Sequence, residues 1–124
     1  MKIRKYEDIT FVGAGTTFSD PIEISPRYSR VEFSSQALSG SNSYDLEVQG
    51  IETGQLLEFQ GEHWLESAPS TNENDWMTIL EADSVIAAKA ANLGNRPASF
   101  SFYRAKVTTT QAATVRFTVV AIRE

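Results

Sequence analysis

The sequence predicts an all-β protein: a single antiparallel β-sandwich (jelly-roll-like) of about eight strands. Three observations predict it. Two long runs at the C-terminal end, residues 99–110 and 114–123, are dominated by aromatic and β-branched side chains, which suit a pleated, half-buried surface. Residues 27–38 and 44–51 alternate between apolar and polar side chains, the pattern of strands with one face buried and one wet. Turn signals recur about every 8–15 residues along most of the chain, a spacing typical of sandwiches and barrels.

Taken in order, residues 2–12 read as a first strand with a charged start and apolar points at Ile3, Ile9, Phe11 and Val12. Gly13-Ala14-Gly15 breaks it. Phe18, Ile22 and Ile24 follow around Pro21; proline donates no ladder hydrogen bond, so this is an edge strand or an extended crossing. In residues 27–38, Val31, Phe33, Ser35 and Ala37 share one face, against Arg30, Glu32, Ser34 and Gln36. Residues 39–43 are a turn by composition. Tyr44, Leu46 and Val48 then oppose Asp45, Glu47 and Gln49. After a turn at 52–54, residues 55–64 continue as strand, with Leu57, Phe59 and Trp64 on the apolar side. Residues 66–75 form the longest polar loop, the place for partner contact. Trp76 to Leu80 is a short strand, with Trp76, Thr78 and Leu80 on one face. Residues 84–93 are Ala-rich and admit a helix capped by Gly94; their strand-like neighbours favour an extended segment. Gly94-Asn95-Arg96-Pro97 reads as a turn into the final pair of strands, which are expected to form an antiparallel hairpin. In that hairpin Tyr103, Ala105 and Val107 face the core with Val115, Phe117, Val119 and Ala121, and Arg104, Lys106 and Arg116 make an outward cationic row.

The chain of 124 residues is long enough for one domain with a substantial core. Its net charge of −5 argues against phosphate-driven nucleic-acid binding. The absence of cysteine excludes disulfides and thiolate metal sites and makes an intracellular origin the simpler reading. No apolar run approaches the roughly 20 residues that span a bilayer. The start lacks the apolar core of a signal peptide, and its Met is read as the beginning of a separately made protein.

Each chemical motif has a plainer reading beside it. His63, the single histidine, has no nucleophile or orienting partner assignable by spacing. Asn72-Glu73-Asn74-Asp75 supplies oxygens but lacks the glycine and closing Glu of an EF-hand. Gly13-Ala14-Gly15 precedes a strand, whereas a phosphate-binding loop opens a helix. Trp64, Trp76, Tyr44 and Tyr103 are candidates for an aromatic platform that stacks on sugars, against the ordinary role of aromatics in a core. Glu62 with Glu66, and Glu81 with Asp83, are carboxylate pairs without the cleft that glycoside hydrolysis needs.

One order of elements carries a resemblance. Trp76-Met77-Thr78-Ile79-Leu80 is followed by Gly94-Asn95-Arg96-Pro97, then by Phe102-Tyr103-Arg104-Ala105-Lys106-Val107, then by Thr114-Val115-Arg116-Phe117-Thr118-Val119. This order resembles the small β-sandwich structural proteins of tailed bacteriophage virions, among them capsid-decoration, head-fibre and tail accessory modules. The resemblance implies a non-enzymatic structural role in the virion, assembled in the host cytoplasm, without cofactor. It also implies capsid or tail subunits as partners and a homo-oligomer, with a trimer among the expected forms. Trp64, Trp76, Arg104, Lys106 and Arg116 are the candidate contact residues, either for a protein partner or, in the competing class, for a host-surface glycan. The edges for contact are expected at residues 2–6 and 20–24.

Overall fold

A computed structural model describes the chain except residues 26, 41–42, 53–56, 61–62, 67–68, 87–88 and 124; for residues 57–60 and 63–66 it describes the backbone alone. Strands β1 (Lys2–Phe11), β4 (Arg30–Ser39), β9 (Ala91–Pro97) and β11 (Ala113–Ile122) form a first sheet in the order β1-β11-β4-β9. Strands β2 (Gly15–Phe18), β5 (Tyr44–Ile51), β8 (Met77–Val85) and β10 (Phe102–Thr109) form a second in the order β2-β10-β5-β8, with β3 (Ile22–Glu23) also on β10. Every pairing is antiparallel. β2 and β3 are two pieces of one edge, so among the described residues each of these two sheets amounts to four strands. The chain changes sheet at nearly every connection, and this strand order is that of a jelly roll. A separate hairpin, β6 (Leu57–Gln60) with β7 (His63–Glu66), lies in the β5–β8 connection.

The inner faces are the ones that alternation predicts. Val31, Phe33, Tyr44, Leu46, Val48, Tyr103, Ala105, Val107, Val115, Phe117, Val119 and Ala121 are all buried in one cluster. Phe33 links the layers: its ring lies 5.4 Å from Tyr103 across the sandwich and 6.1 Å from Phe117 beside it. Ser35 and Tyr44 hydroxyls meet at 2.6 Å, so both are satisfied inside the core. At the broken edge, the Ser19 hydroxyl accepts the Ala105 N–H at 2.9 Å, a ladder donor that the interruption near Pro21 would otherwise orphan.

Four expectations are corrected. The last two strands do not form a hairpin. β10 pairs with β2, β3 and β5, while β11 pairs with β1 and β4 in the other sheet. A short link can turn within one sheet or carry the chain round a corner to the other. Here the long registers with distant strands decide, and local spacing does not contain them. Second, Gly94 to Pro97 is not a turn but part of β9, paired to β4 from Arg30↔Pro97 to Phe33↔Gly94. Gly94 has φ of 107°, at the register shift that makes a bulge in this edge strand, and proline sits at the strand's end, where a missing donor is tolerated. Third, residues 55–64 are not one strand: β6 and β7 fold back on each other. Fourth, the strand expected to start at Trp76 starts at Met77 and runs on to Val85, with two register shifts against β5. The Ala-rich segment is not helical where described: Ser84 and Val85 end β8, Ala91 begins β9, and the Lys89 N–H reaches the Ile86 carbonyl at 3.3 Å.

Phe117 is fully buried at the meeting point of both sheets. Phe117→Ala is expected to cost about 3–5 kcal/mol of stability, read as a lower urea midpoint at an unchanged slope.

Candidate functional site

Among the described residues, the outer face of the second sheet carries a close arrangement of charged and polar side chains. On β10, alternation turns Arg104, Lys106 and Thr108 outward; on β5 it does the same for Asp45, Glu47 and Gln49. Residues 69–76 fold over part of this face. Within them Glu73–Asp75 make one 3-10 turn, in which Asn72 Oδ1 accepts the Asn74 N–H at 3.0 Å and the Trp76 N–H returns to the Glu73 carbonyl at 3.2 Å. The oxygens of this segment serve the turn: Asn72 caps it and Asp75 accepts from the Ser70 hydroxyl at 2.5 Å. Trp76 donates its indole N–H to the Ser70 carbonyl at 2.8 Å, which fixes the ring over the sheet.

Beneath that ring lies Arg104. Its guanidinium carbon is 4.2 Å from the Trp76 ring centroid and 4.1 Å from the Phe18 centroid, and both distances are within cation–π range. Arg104 is only 6 % exposed. Its Nε donates to Gln49 Oε1 at 2.8 Å, Gln49 Nε2 donates to Glu47 at 2.5 Å, and the Thr78 hydroxyl donates to the same Glu47 oxygen at 2.9 Å. Nη2 of Arg104 is buried without a hydrogen-bond partner. Burial lowers the guanidinium pKa, and the carboxylates of Glu73 and Glu47 act in the opposite direction. Burial alone would raise the Glu47 pKa, but the hydrogen bonds from Gln49 and Thr78 and the Lys106 charge leave it below the usual carboxylate value. Lys106 Nζ is 2.7 Å from Glu73 Oε1, a contact that raises the lysine pKa.

Beyond the covered part, Asp45, Leu46, Glu47, Glu81, Asp83, Lys106 and Thr108 line a groove of about 180 Å³. Glu47 and Glu81 stand directly opposite each other on neighbouring strands. Among the described residues, no group of three or more His, Asp or Glu is placed to hold a metal ion.

The expected cationic row does not exist, because its strands lie in different sheets. Arg104 and Lys106 are on the outside of the second sheet, and Arg116 is on the outside of the first. There Arg116 holds Asp8 with two hydrogen bonds, 2.8 and 3.0 Å long, and its guanidinium carbon lies 4.0 Å from the ring centroid of Tyr6. Trp76 is 6 % exposed and is occupied by Arg104, while Tyr44 and Tyr103 are core residues. The side chains of Trp64 and His63 lie outside the described residues. Sequence reading missed Phe18, Gln49 and Glu73 as partners of the two β10 cations; the polar loop that ends in a tryptophan was the available signal.

Arg104→Lys keeps the charge but loses the flat surface that stacks between two rings. A loss of about 1–2 kcal/mol is expected in urea unfolding; unchanged stability would show that the stack contributes nothing. The Asp8 carboxyl is held below its ordinary pKa by the hydrogen bond from Arg116, so its contribution is present above the unfolded value near pH 4 and is lost as pH falls through the lower folded value. Burial, with the charges of Asp20 and Asp8, pushes neighbouring Glu7 up, which gives Glu7 a contribution of opposite sign. Asp8→Asn is therefore expected to flatten the decline in the urea midpoint below about pH 4.

No protein-family model matches this chain, and no curated protein matches its sequence.

Proposed function

We propose that this chain is a structural virion protein, a capsid-decoration or head- or tail-fibre component that acts through protein–protein contacts. The observation that carries the reading is the form of the outer surface. Among the described residues, a shallow groove of about 180 Å³, less than the roughly 300–1,000 Å³ of small-molecule sites, runs along the outside of a sheet with carboxylates along it. Such a surface suits a partner that covers it. The jelly-roll order supports the reading by analogy of architecture, since capsid domains use it; so do lectins, and fold alone does not decide between them. The order of sequence segments that resembles phage virion modules, Trp76 through Val119, adds the direction, with its Gly94–Pro97 segment in strand β9 rather than in a turn.

A glycan-binding module is the second reading, favoured by Tyr6, which is 50 % exposed on the outside of the first sheet and rests on Arg116. Antibody raised against the chain, applied with gold label to purified tailed-phage particles from a producing culture, is expected to decorate heads or tails. Particles without label, with the chain recovered only free in the lysate, would refute the virion role. Glycan-array binding lost in Tyr6→Ala would favour the second reading.

A further inference from the structure

We propose that copies of this chain associate head to tail, the outer face of the first sheet of one copy lying on the outer face of the second sheet of the next. This rests on the assembly reading above and names its contact.

The two faces differ in charge. Outside the first sheet stand Lys2, Arg4, Arg30 and Arg116, against Asp8 and Glu32. Asp8 is held by Arg116, so the positive excess gathers at one end, where Lys2 and Arg30 flank Ile122 in register and Arg4 and Glu32 flank Val120. Outside the second sheet the balance is reversed. Arg104 is buried under Trp76 and Lys106 is held by Glu73, so both cations of β10 are engaged within the molecule. What remains along the groove is Asp45, Glu47, Glu81 and Asp83. A cationic surface laid over these four carboxylates meets opposite charge at close range.

Three of the four sheet edges are guarded, and the fourth is the short, proline-broken β2/β3 edge. β8 carries two register shifts and residue Ser84 at φ of 54°; β9 carries a glycine bulge and ends in Pro97. β1 has a regular register but places Lys5 and Glu7 on its inward side. Bulges, proline and inward charges are the devices that stop strands from pairing edge to edge. The net charge of −5 opposes association only weakly: screening acts over about 8 Å at physiological salt, and apposed faces lie closer than that.

The test is mass in solution by sedimentation velocity, at about 50 mM and about 500 mM salt, a change that shortens the screening length roughly threefold. The unmodified chain is expected to associate at low salt, with an association constant at least about tenfold lower at high salt. Two variants reverse one face each: Lys2→Glu with Arg4→Glu, and Glu81→Lys with Asp83→Lys. Each alone is expected to stay monomeric, and an equal mixture to associate again, because every contact then joins opposite charges; recovery on mixing also shows that both are folded. Wild-type protein that remains monomeric at low salt, variants that associate as wild type does, or a mixture without recovery would each overturn the proposal. Particle labelling with a monomeric chain would overturn the head-to-tail contact and leave the virion role standing.

Discussion

The structure depends on keeping β10 and β11 in opposite sheets although only three residues separate them. Their inward rows, Tyr103, Ala105 and Val107 on one and Val115, Phe117, Val119 and Ala121 on the other, are completely or almost completely buried. Once these rows face each other, each strand is central in its own sheet and needs a neighbour on both sides. β11 takes β1 and β4; β10 takes β5 and the broken β2/β3 edge. The alternation of the chain between layers follows from those four pairings. So does the tight corner. Gly40, at φ of 90°, packs so near this link that a Cβ would stand 2.8 Å from the Ala113 Cβ, which only glycine avoids. Most contacts join residues far apart in sequence; the first strand is completed only by the last, which marks a fold of high contact order.

With the apolar rows turned inward, the two outer faces were free to diverge. The first is exposed along most of β1 and β4. The second is partly covered, and Arg104 shows how the cover is held. Leaving one guanidinium nitrogen buried without a partner costs about 1–3 kcal/mol. Two stacked rings in a desolvated place offset that by up to about 2 kcal/mol each, and the Gln49 bond adds to it. Arginine does this where lysine would not, because its charge is spread over a plane that both rings can face. Trp76 thereby fastens residues 69–76 to the sheet, and Glu73 reaches Lys106 from the same segment.

Which residues face inward was legible in the sequence because side-chain alternation is local. Val31 to Ala37, Tyr44 to Val48 and both C-terminal rows needed no knowledge of their partners. The edges at β1 and β3 were legible for a related reason: clustered charge at Lys2, Arg4 and Lys5, and proline at position 21, are both poor companions for a central strand. Pairing was not legible. Whether Thr109 and Ala113 belong to one hairpin or two sheets depends on strands far away in the sequence, and period-2 patterning is identical in both cases. Gly94 and Pro97 read as a turn because bulged edge strands and turns draw on the same residues. The fate of Arg104 was hidden for another reason. An outward arginine on a strand normally meets water; here a segment nearly thirty residues earlier in the chain meets it instead.

The same asymmetry limits what assemblies are open to the chain. A two-fold contact joins a patch to its own copy, and the outer face of the second sheet would then set Glu47, Glu81 and Asp83 against identical carboxylates. The outer face of the first sheet would likewise oppose one net positive face to another. Contact between unlike faces avoids both repulsions but carries a direction, so it ends only when the rotation closes a ring. A closed trimer is such a ring, and a fibre is the outcome when the rotation does not close. In the head-to-tail contact proposed above, the angle between successive copies would set the form of the assembly, and it would follow from where the basic end of β1 met the carboxylates of β5 and β8.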